Sequence, residues 1–335
     1  MPGRQVGTRV LLLSLGGTIA MTPGERGGVT PTLGGDDLIA AVPGLAEVAA
    51  IEAESFRTIP GAHLSFEDLG ALARRIEASA EQGFDGVVVT QGTDTLEETS
   101  FLLDLLTVPE RRLVLTGAMR NPSLAGADGP ANLLAAVRLA ACPAAAGLGA
   151  TVVLGDEIHA ARYVRKAHTQ SPAAFRSLAG PVGWIGEGAV RIALRPPPSP
   201  ALKLSAAGDR RVALLTAALD DGGGLLDAAR GRADGIVVEA LGGGHLPLPW
   251  LEAIEEAAAA MPVVYASRTG AGEVLTETYG FPGSETDLRE RGAIPAGWLD
   301  GPKARILLTL LLRAGADPGS ARDSFARYLA GAAVS

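Results

Sequence analysis

The run Gly86-Val87-Val88-Val89-Thr90 constrains this chain more than any other stretch. A strand with one wet face alternates apolar and polar residues. A strand without that alternation is buried on both faces and needs helices over each. The same pattern returns at Val10 to Leu15, Leu113 to Thr116 and Thr151 to Leu154. Helical patterns separate these strands. Ser65 caps one, with Asp68 at N3, a stripe of Phe66, Leu69, Leu72, Ala73 and Ile76, and Gly83 beyond its end. Thr95 and Glu98 form a second capping-box pattern ahead of Phe101, Leu102, Leu105 and Leu106, and Ala131 to Ala141 reads as a further helix. Strands alternating with helices predict an α/β fold with a parallel sheet.

The rhythm breaks once. Val182 to Ile185 and Ala189 to Leu194 read as a hairpin turned at Gly186-Glu187-Gly188. Arg195-Pro-Pro-Pro-Ser-Pro200 then places four prolines where neither helix nor central strand can continue. Beyond it, strands at Val212 to Leu215, Ile236 to Glu239 and Val263 to Ala266 recur roughly every 25 residues. A helix over Lys303 to Arg313 follows, and Asp317-Pro318 supplies N-cap and N1 of a last one carrying Phe325, Tyr328 and Leu329. The expected layout is a larger N-terminal parallel-sheet domain over 1–195, a linker over 196–210, and a smaller C-terminal parallel α/β domain over 211–335.

Composition excludes several functional classes. With 29 Lys plus Arg against 37 Asp plus Glu and no basic tract interleaved with aromatics, nucleic acid is not an expected partner. Cys142 is the single cysteine, and the histidines His63, His159, His168 and His245 lack metal-ligand spacing, so neither an intrachain disulfide nor a metal is expected. Arg4 and Arg9 precede an apolar run as in a secretion signal. That run is short and ends in Gly16-Gly17-Thr18, which fits a buried strand entering a turn better. No apolar stretch approaches the ~20 residues of a membrane span, and the expected address is the cytoplasm.

Three segments join a strand end to small polar residues. In Leu15-Gly-Gly-Thr-Ile-Ala20, Thr18 lies just past the carboxyl end of the first strand, where open α/β sheets place their sites. Neither the dinucleotide spacing nor the Lys-Ser/Thr ending of a P-loop is present. Taken alone, Thr18 fits an ordinary turn hydroxyl as well. In Thr90-Gln-Gly-Thr-Asp-Thr-Leu-Glu-Glu98, Thr95 has a structural task as N-cap. Thr93 and Asp94 have none, and suit either turn chemistry or recognition of a small polar substrate. In Arg162-Tyr-Val-Arg-Lys-Ala-His168, Lys166 is either part of a solvated basic run, the stronger reading from sequence alone, or an inward lysine able to relay protons. The polar stretch from Met21 to Gly35 is long for its place and is a candidate lid.

Taken together, Gly16-Gly17-Thr18-Ile19-Ala20, Gly92-Thr93-Asp94-Thr95-Leu96-Glu97-Glu98-Thr99, Thr116-Gly117-Ala118-Met119-Arg120, Asp128-Gly129-Pro130 with Asn132-Leu133, Val164-x-Lys166 and Lys303-Ala304-Arg305 are ordered over nearly the whole chain. They resemble the bacterial-type L-asparaginase/glutaminase family. The resemblance implies an amidohydrolase that cleaves L-asparagine to L-aspartate and ammonia through a covalent acyl-enzyme, with no metal or organic cofactor. Thr18 matches the nucleophile and Thr93 the second catalytic threonine, with Asp94 and Lys166 as proton-handling partners. Asp94 would also hold the substrate's α-ammonium, and the Ala118 backbone would help form the amide site. Glu273 matches a glutamate that reaches the neighbouring subunit's site, implying a homo-oligomer, a tetramer built as a dimer of dimers.

Some positions depart from the family pattern. Leu15 stands where threonine is usual and Gln91 where histidine is usual. The stretch from Met21 to Asp37 holds no tyrosine. Pro60-Gly61-Ala62 replaces Gly-Ser-Gln/Glu, so that Gly61 and Ala62 occupy substrate-binding positions without the serine that holds the α-carboxylate. His245 replaces an asparagine at a neighbouring site. Two alternatives follow: the same mechanism on glutamine or another small carboxamide, and a non-catalytic small-molecule sensor. A sensor predicts damage at Thr18, Thr93, Asp94 or Lys166, and all four are intact.

Overall fold

The computed structural model describes residues 7–17, 19, 21–23, 29–31, 35–197, 199, 202 and 208–331. The chain divides into two compact units, 1–201 and 202–335. The first begins with β1 (Arg9–Ser14) and a short antiparallel pair, β2 (Met21–Pro23) and β3 (Val29–Pro31). The lid expectation falls on a stretch of which these two strands are the main described part. Helices α1 (Gly35–Ala40) and α2 (Leu45–Val48) lead into β4 (Ala50–Ser55), and α3 (Phe66–Glu81) leads into β5 (Gly86–Thr90). Next come α4 (Leu96–Leu106), β6 (Arg112–Thr116), α5 (Gly129–Ala141), β7 (Thr151–Leu154) and β8 (Glu157–Ala160). β9 (Val164–Lys166) and β10 (Phe175–Ser177) form a separate antiparallel pair, and the hairpin β11 (Gly183–Gly186) and β12 (Ala189–Ile192) closes the unit.

The main sheet has eight strands in the order β12-β11-β8-β7-β6-β5-β1-β4. From β4 to β7 every pairing is parallel, and from β7 onward every pairing is antiparallel. The chain steps from β1 outward to β4 and then crosses back to β5. That reversal opens a crevice at the carboxyl ends of β1 and β5, the position where open α/β sheets receive ligands.

Burial explains why β5 lacks alternation: all five of its residues are buried. Val88, with Val10, Leu12 and Val114, packs against Leu133, Ala136, Val137 and Ala140 of α5. Burying one such large aliphatic side chain contributes about 1.5–3 kcal/mol. Gly86 is required by this packing, because a Cβ there would lie 2.2 Å from the Ala140 carbonyl oxygen. The reciprocal Ser65/Asp68 capping box starts α3 as the sequence predicts.

Two local expectations need correction. The hairpin turn is tighter than Gly186-Glu187-Gly188, since Gly186 already pairs with Ala189 and β12 stops at Ile192. Glu187 and Gly188 carry the turn, both at positive φ (50° and 76°), as a two-residue primed turn requires. Thr95 precedes α4, but its hydroxyl does not cap that helix. A 3-10 turn over Thr93–Thr95 starts the helix instead, and the hydroxyl is engaged elsewhere.

In the second unit β13 (Val212–Thr216), α6 (Gly224–Arg230), β14 (Gly235–Ala240), α7 (Leu251–Ala260), β15 (Val263–Ser267), α8 (Glu285–Glu290) and β16 (Ile294–Pro295) alternate. The four strands lie in chain order and pair in parallel. Trp250, Tyr265, Leu226 and Ile254 anchor their core. Asp300 caps α9 (Gly301–Arg313) through the Lys303 N–H, and Asp317 caps α10 (Pro318–Leu329) in a reciprocal box with Ser320. No helix among the described residues is long and apolar enough to cross a membrane.

Candidate active site

The carboxyl ends of β1, β5 and β6 are level. The Leu15 N–H donates to the Thr90 carbonyl at 2.9 Å, and the Gln91 N–H donates to the Thr116 carbonyl at 3.0 Å, so each ladder continues one residue past its strand. Each strand then enters a glycine turn, and the turns touch. Gly17 has φ +90°, and a Cβ on it would fall 2.1 Å from the Gly92 nitrogen. Only glycine lets the two backbones come this close. A Cβ on Gly117 would lie 2.6 Å from the Gln91 carbonyl oxygen and 3.2 Å from Cγ2 of Thr93. The three sequence blocks therefore meet at one rim. Thr18 itself lies outside the described residues.

On that rim Thr93 is buried and Asp94 exposed. Lys166, the last residue of β9, donates from Nζ to Thr93 Oγ1 at 2.9 Å and to Asp94 Oδ1 at 2.8 Å. Its side chain is 16% exposed and that of Asp94 74%. Lys166 is thus no member of a solvated basic run: it spans 72 residues to join a hydroxyl and a carboxylate. Its backbone N–H donates to a carboxylate oxygen of Glu97, in the first turn of α4. A buried hydroxyl linked through an amine to a carboxylate is a path along which a proton can move.

Around this trio sits a frame of hydrogen bonds. Asp128 accepts from the Met119 N–H (3.0 and 3.1 Å to its two oxygens) and from the Arg120 N–H (2.9 Å). Asn132 donates to the Gly117 carbonyl at 3.0 Å and to Asp128 at 3.1 Å, and accepts from the Gly155 N–H at 3.0 Å. Ala118, buried, is therefore held on both sides through its neighbours. Gly61 is buried and Ala62 exposed in a 3-10 turn beside this rim. The Gly61 carbonyl accepts the Thr95 hydroxyl at 3.0 Å, and that hydroxyl accepts from Gln91 Nε2 at 2.9 Å.

Sequence reasoning assigned no role to Glu97, Asp128 or Asn132, although each lies in a quoted motif. The spacing of Asp128 and Asn132 at i and i+4 on the first turn of a helix is the signal that could have paired them.

His245 and Glu273 belong to the second unit. Glu273 is exposed. His245 Nε2 lies 3.2 Å from Glu285 Oε2, with its ring edge-on to Tyr279 and Phe281. Burial pushes the Glu285 carboxyl up, but the N–H groups of Tyr279, Glu285 and Thr278 and the His245 ring hold it below the usual carboxylate range.

With the geometry in place, comparisons identify relatives. Residues 9–198 match the family model described as asparaginase, N-terminal, and residues 211–325 match the glutaminase/asparaginase C-terminal domain. A probable L-asparaginase of Deinococcus radiodurans is 42% identical over 322 residues, covering 95% of this chain and 97% of the relative. An L-asparaginase of Bacillus licheniformis is 34% identical over 312 residues, covering 91% and 95%. The crystal structure of a probable cytoplasmic L-asparaginase from Campylobacter jejuni superposes with a TM-score of 0.86 at 32% identity, covering 96% of this chain and all of that one. Both halves of the family pattern and nearly the full length of these relatives are matched, and the chain therefore belongs to the bacterial-type asparaginase family as an asparaginase-type amidohydrolase.

Proposed function

We propose that the rim at β1, β5 and β6 is the active site of an L-asparaginase that hydrolyses L-asparagine to L-aspartate and ammonia. The observation that carries this reading is Lys166 Nζ within hydrogen-bond reach of both Thr93 and Asp94. Thr18 is the nucleophile: its hydroxyl oxygen adds to the side-chain amide carbon, and the collapsing adduct expels ammonia and leaves an acyl-threonine. Thr93, relayed to Lys166, handles the proton that Thr18 loses and the one that the leaving nitrogen gains. Water then attacks the ester with Thr93 again in the relay, releasing aspartate and restoring the threonine. The Ala118 backbone, with Asn132 and Asp128 fixing the residues on either side of it, suits a developing oxyanion. Asp94, exposed at the rim, offers its carboxylate to the substrate's α-ammonium.

The proposal extends to the assembly. Glu273 and His245 complete the site of a neighbouring subunit in a homotetramer built as a dimer of dimers, the enzyme works in the cytoplasm, and residues 196–210 link the two domains. One observation favours a second substrate: Gly61 offers no side chain where the family's serine holds the α-carboxylate, which relaxes selection among small carboxamides such as glutamine.

Ammonia release from asparagine, glutamine and short amides tests both readings. Thr18→Ala, Thr93→Ala and Lys166→Met should each lower kcat by about a thousandfold or more with unfolding midpoints near wild type, because these groups act chiefly in the transition state. Full turnover in purified Thr18→Ala would sink the nucleophile assignment.

A further inference from the structure

We propose that Glu97 is the positioning residue that sets Lys166 against Thr93 and Asp94. The inference rests on the proton-relay reading of Lys166. β9 and β10 are three residues each and form a two-stranded sheet of their own, outside the eight-stranded sheet that fixes Thr93. The link from His159 of β8 to Ser177 of β10 lies opposite Val164, two residues from the lysine, so a contact at Lys166 itself sets its distance from the threonine more directly.

The ladder shows which contact that is. Lys166 pairs with Phe175, and the Ala167 N–H donates to the Ala174 carbonyl at 2.7 Å. Antiparallel strands turn successive N–H groups to opposite sides, so the Lys166 N–H points away from β10. Glu97 takes that N–H on its carboxylate. Both ends of Lys166 are then held by one short stretch: the backbone by Glu97, and Nζ by Thr93 and Asp94. Glu97 lies on α4, directly after the turn that carries Thr93, so any shift of β9 relative to that turn is resisted at the lysine itself. Glu97 touches no reacting atom in this scheme and acts through Lys166.

The test compares Glu97→Ala, Glu97→Asp and Glu97→Gln in the full-length enzyme. Misplacing a proton-relay group by about 1 Å costs on the order of a hundredfold, so Glu97→Ala should lower kcat by about 30- to 100-fold while KM stays within about threefold. Glu97→Gln keeps an acceptor oxygen at the same reach and should recover kcat to within about fivefold of wild type. Glu97→Asp withdraws the acceptor by one methylene and should fall between them. A second readout is independent of turnover. The chain has three lysines, Lys166, Lys203 and Lys303, so a sample labelled with [ε-13C]lysine gives three signals, of which Lys166→Arg removes and so assigns one. That signal should move in Glu97→Ala and Glu97→Asp and keep its position in Glu97→Gln.

Wild-type kcat and an unmoved Lys166 signal in Glu97→Ala would overturn the proposal. So would a loss of activity that tracks a lowered unfolding midpoint with the signal unmoved. Should Glu97→Ala fail to fold, Glu97→Asp decides by the same two readouts. Wild-type turnover in Lys166→Met would refute the relay itself, an outcome distinct from failure of the Glu97 anchor.

Discussion

Gln91 donates from Nε2 to the hydroxyl of Thr95 at 2.9 Å. The hydroxyl passes the bond on to the Gly61 carbonyl at 3.0 Å, so that Gln91 and Gly61 are joined through Thr95. These three residues are thereby one structural unit.

This unit leaves little space. A Cβ added at Gly61 would lie 3.0 Å from Thr95 Oγ1 and 3.2 Å from the Gly92 carbonyl oxygen. Thr95 is held from two sides and Gly92 belongs to the rim backbone, so neither yields without moving the site. Gly61→Ser should therefore lower stability by about 1–2 kcal/mol and raise KM for asparagine. Thr95→Ala removes the nearest of these contacts, and its loss should combine with that of Gly61→Ser less than additively, with a coupling of at least about 0.5 kcal/mol. Urea unfolding of the four proteins measures the cycle; strict additivity would show that the Gly61 and Thr95 positions are independent.

Asn132 ties three elements together: the turn after β6, the start of α5 and the turn between β7 and β8. Asn132→Ala leaves the buried Gly117 carbonyl and the exposed Gly155 N–H without that partner, a loss of about 1–3 kcal/mol that falls mostly on Gly117. The Ala118 backbone should shift with the turn, so kcat should fall in the fraction that remains folded. Denaturant titration and active-site-normalised turnover separate the two effects. An unchanged midpoint would mean that water replaces the amide at no cost.

What was legible in the sequence was local or periodic. β5 could be read because burial on both faces is written into Gly86 to Thr90, the cap at Ser65 because donor and acceptor lie three residues apart, and the cap at Asp317 because Pro318 follows it at N1. The antiparallel edge beyond β7 was harder, since its strands are short and no helix separates them. Thr95 was misread because a long-range acceptor, the Gly61 carbonyl, took the hydroxyl that local chemistry would give to a helix N–H. Lys166 lay in what looked like a solvated run because its partners are 72 and 73 residues away and only the fold brings them together.

The proline-rich stretch is held to the first unit at Pro197, whose carbonyl accepts from Arg162, and at Ser199. Ser199 is 3% exposed and donates to the buried Asp104 carboxylate at 2.5 Å, while the Ala150 N–H donates to its other oxygen at 2.7 Å. Burial pushes the Asp104 carboxyl above its ordinary value of 3.8, and the bonds from Ser199 and Ala150 and the charge of Arg162 pull against that. A carboxyl raised on folding stabilises fully below pH 3.8, and that contribution is lost as pH rises through the folded midpoint. Ser199→Ala removes one of the groups that favour the ionised form, so the folded midpoint should rise further. The variant should lose about 1.5–3 kcal/mol at neutral pH and less at pH 4. Equal losses at both pH values, measured by denaturant unfolding, would show that the bond is indifferent to the charge on Asp104.

His159 supplies the opposite pH dependence. It is buried on β8, with Nδ1 2.9 Å from Ser177 Oγ and Nε2 3.3 Å from a Glu157 carboxylate oxygen. Burial lowers its pKa from the ordinary 6.5, outweighing the opposing pull of Glu157. The folded protein therefore keeps this ring neutral at pH values where the unfolded chain has already bound a proton. Below about pH 6.5 the unfolded state binds more protons than the folded one, so stability must fall with falling pH, by at most about 1.4 kcal/mol per pH unit for this one group. The fall ends once the folded midpoint is passed. His159→Gln retains a donor and an acceptor but does not titrate, so its unfolding midpoint in urea should decline less than that of wild type between pH 7 and pH 5. Parallel declines in the two proteins would place the acid sensitivity elsewhere and leave His159 a purely geometric link between β8 and β10.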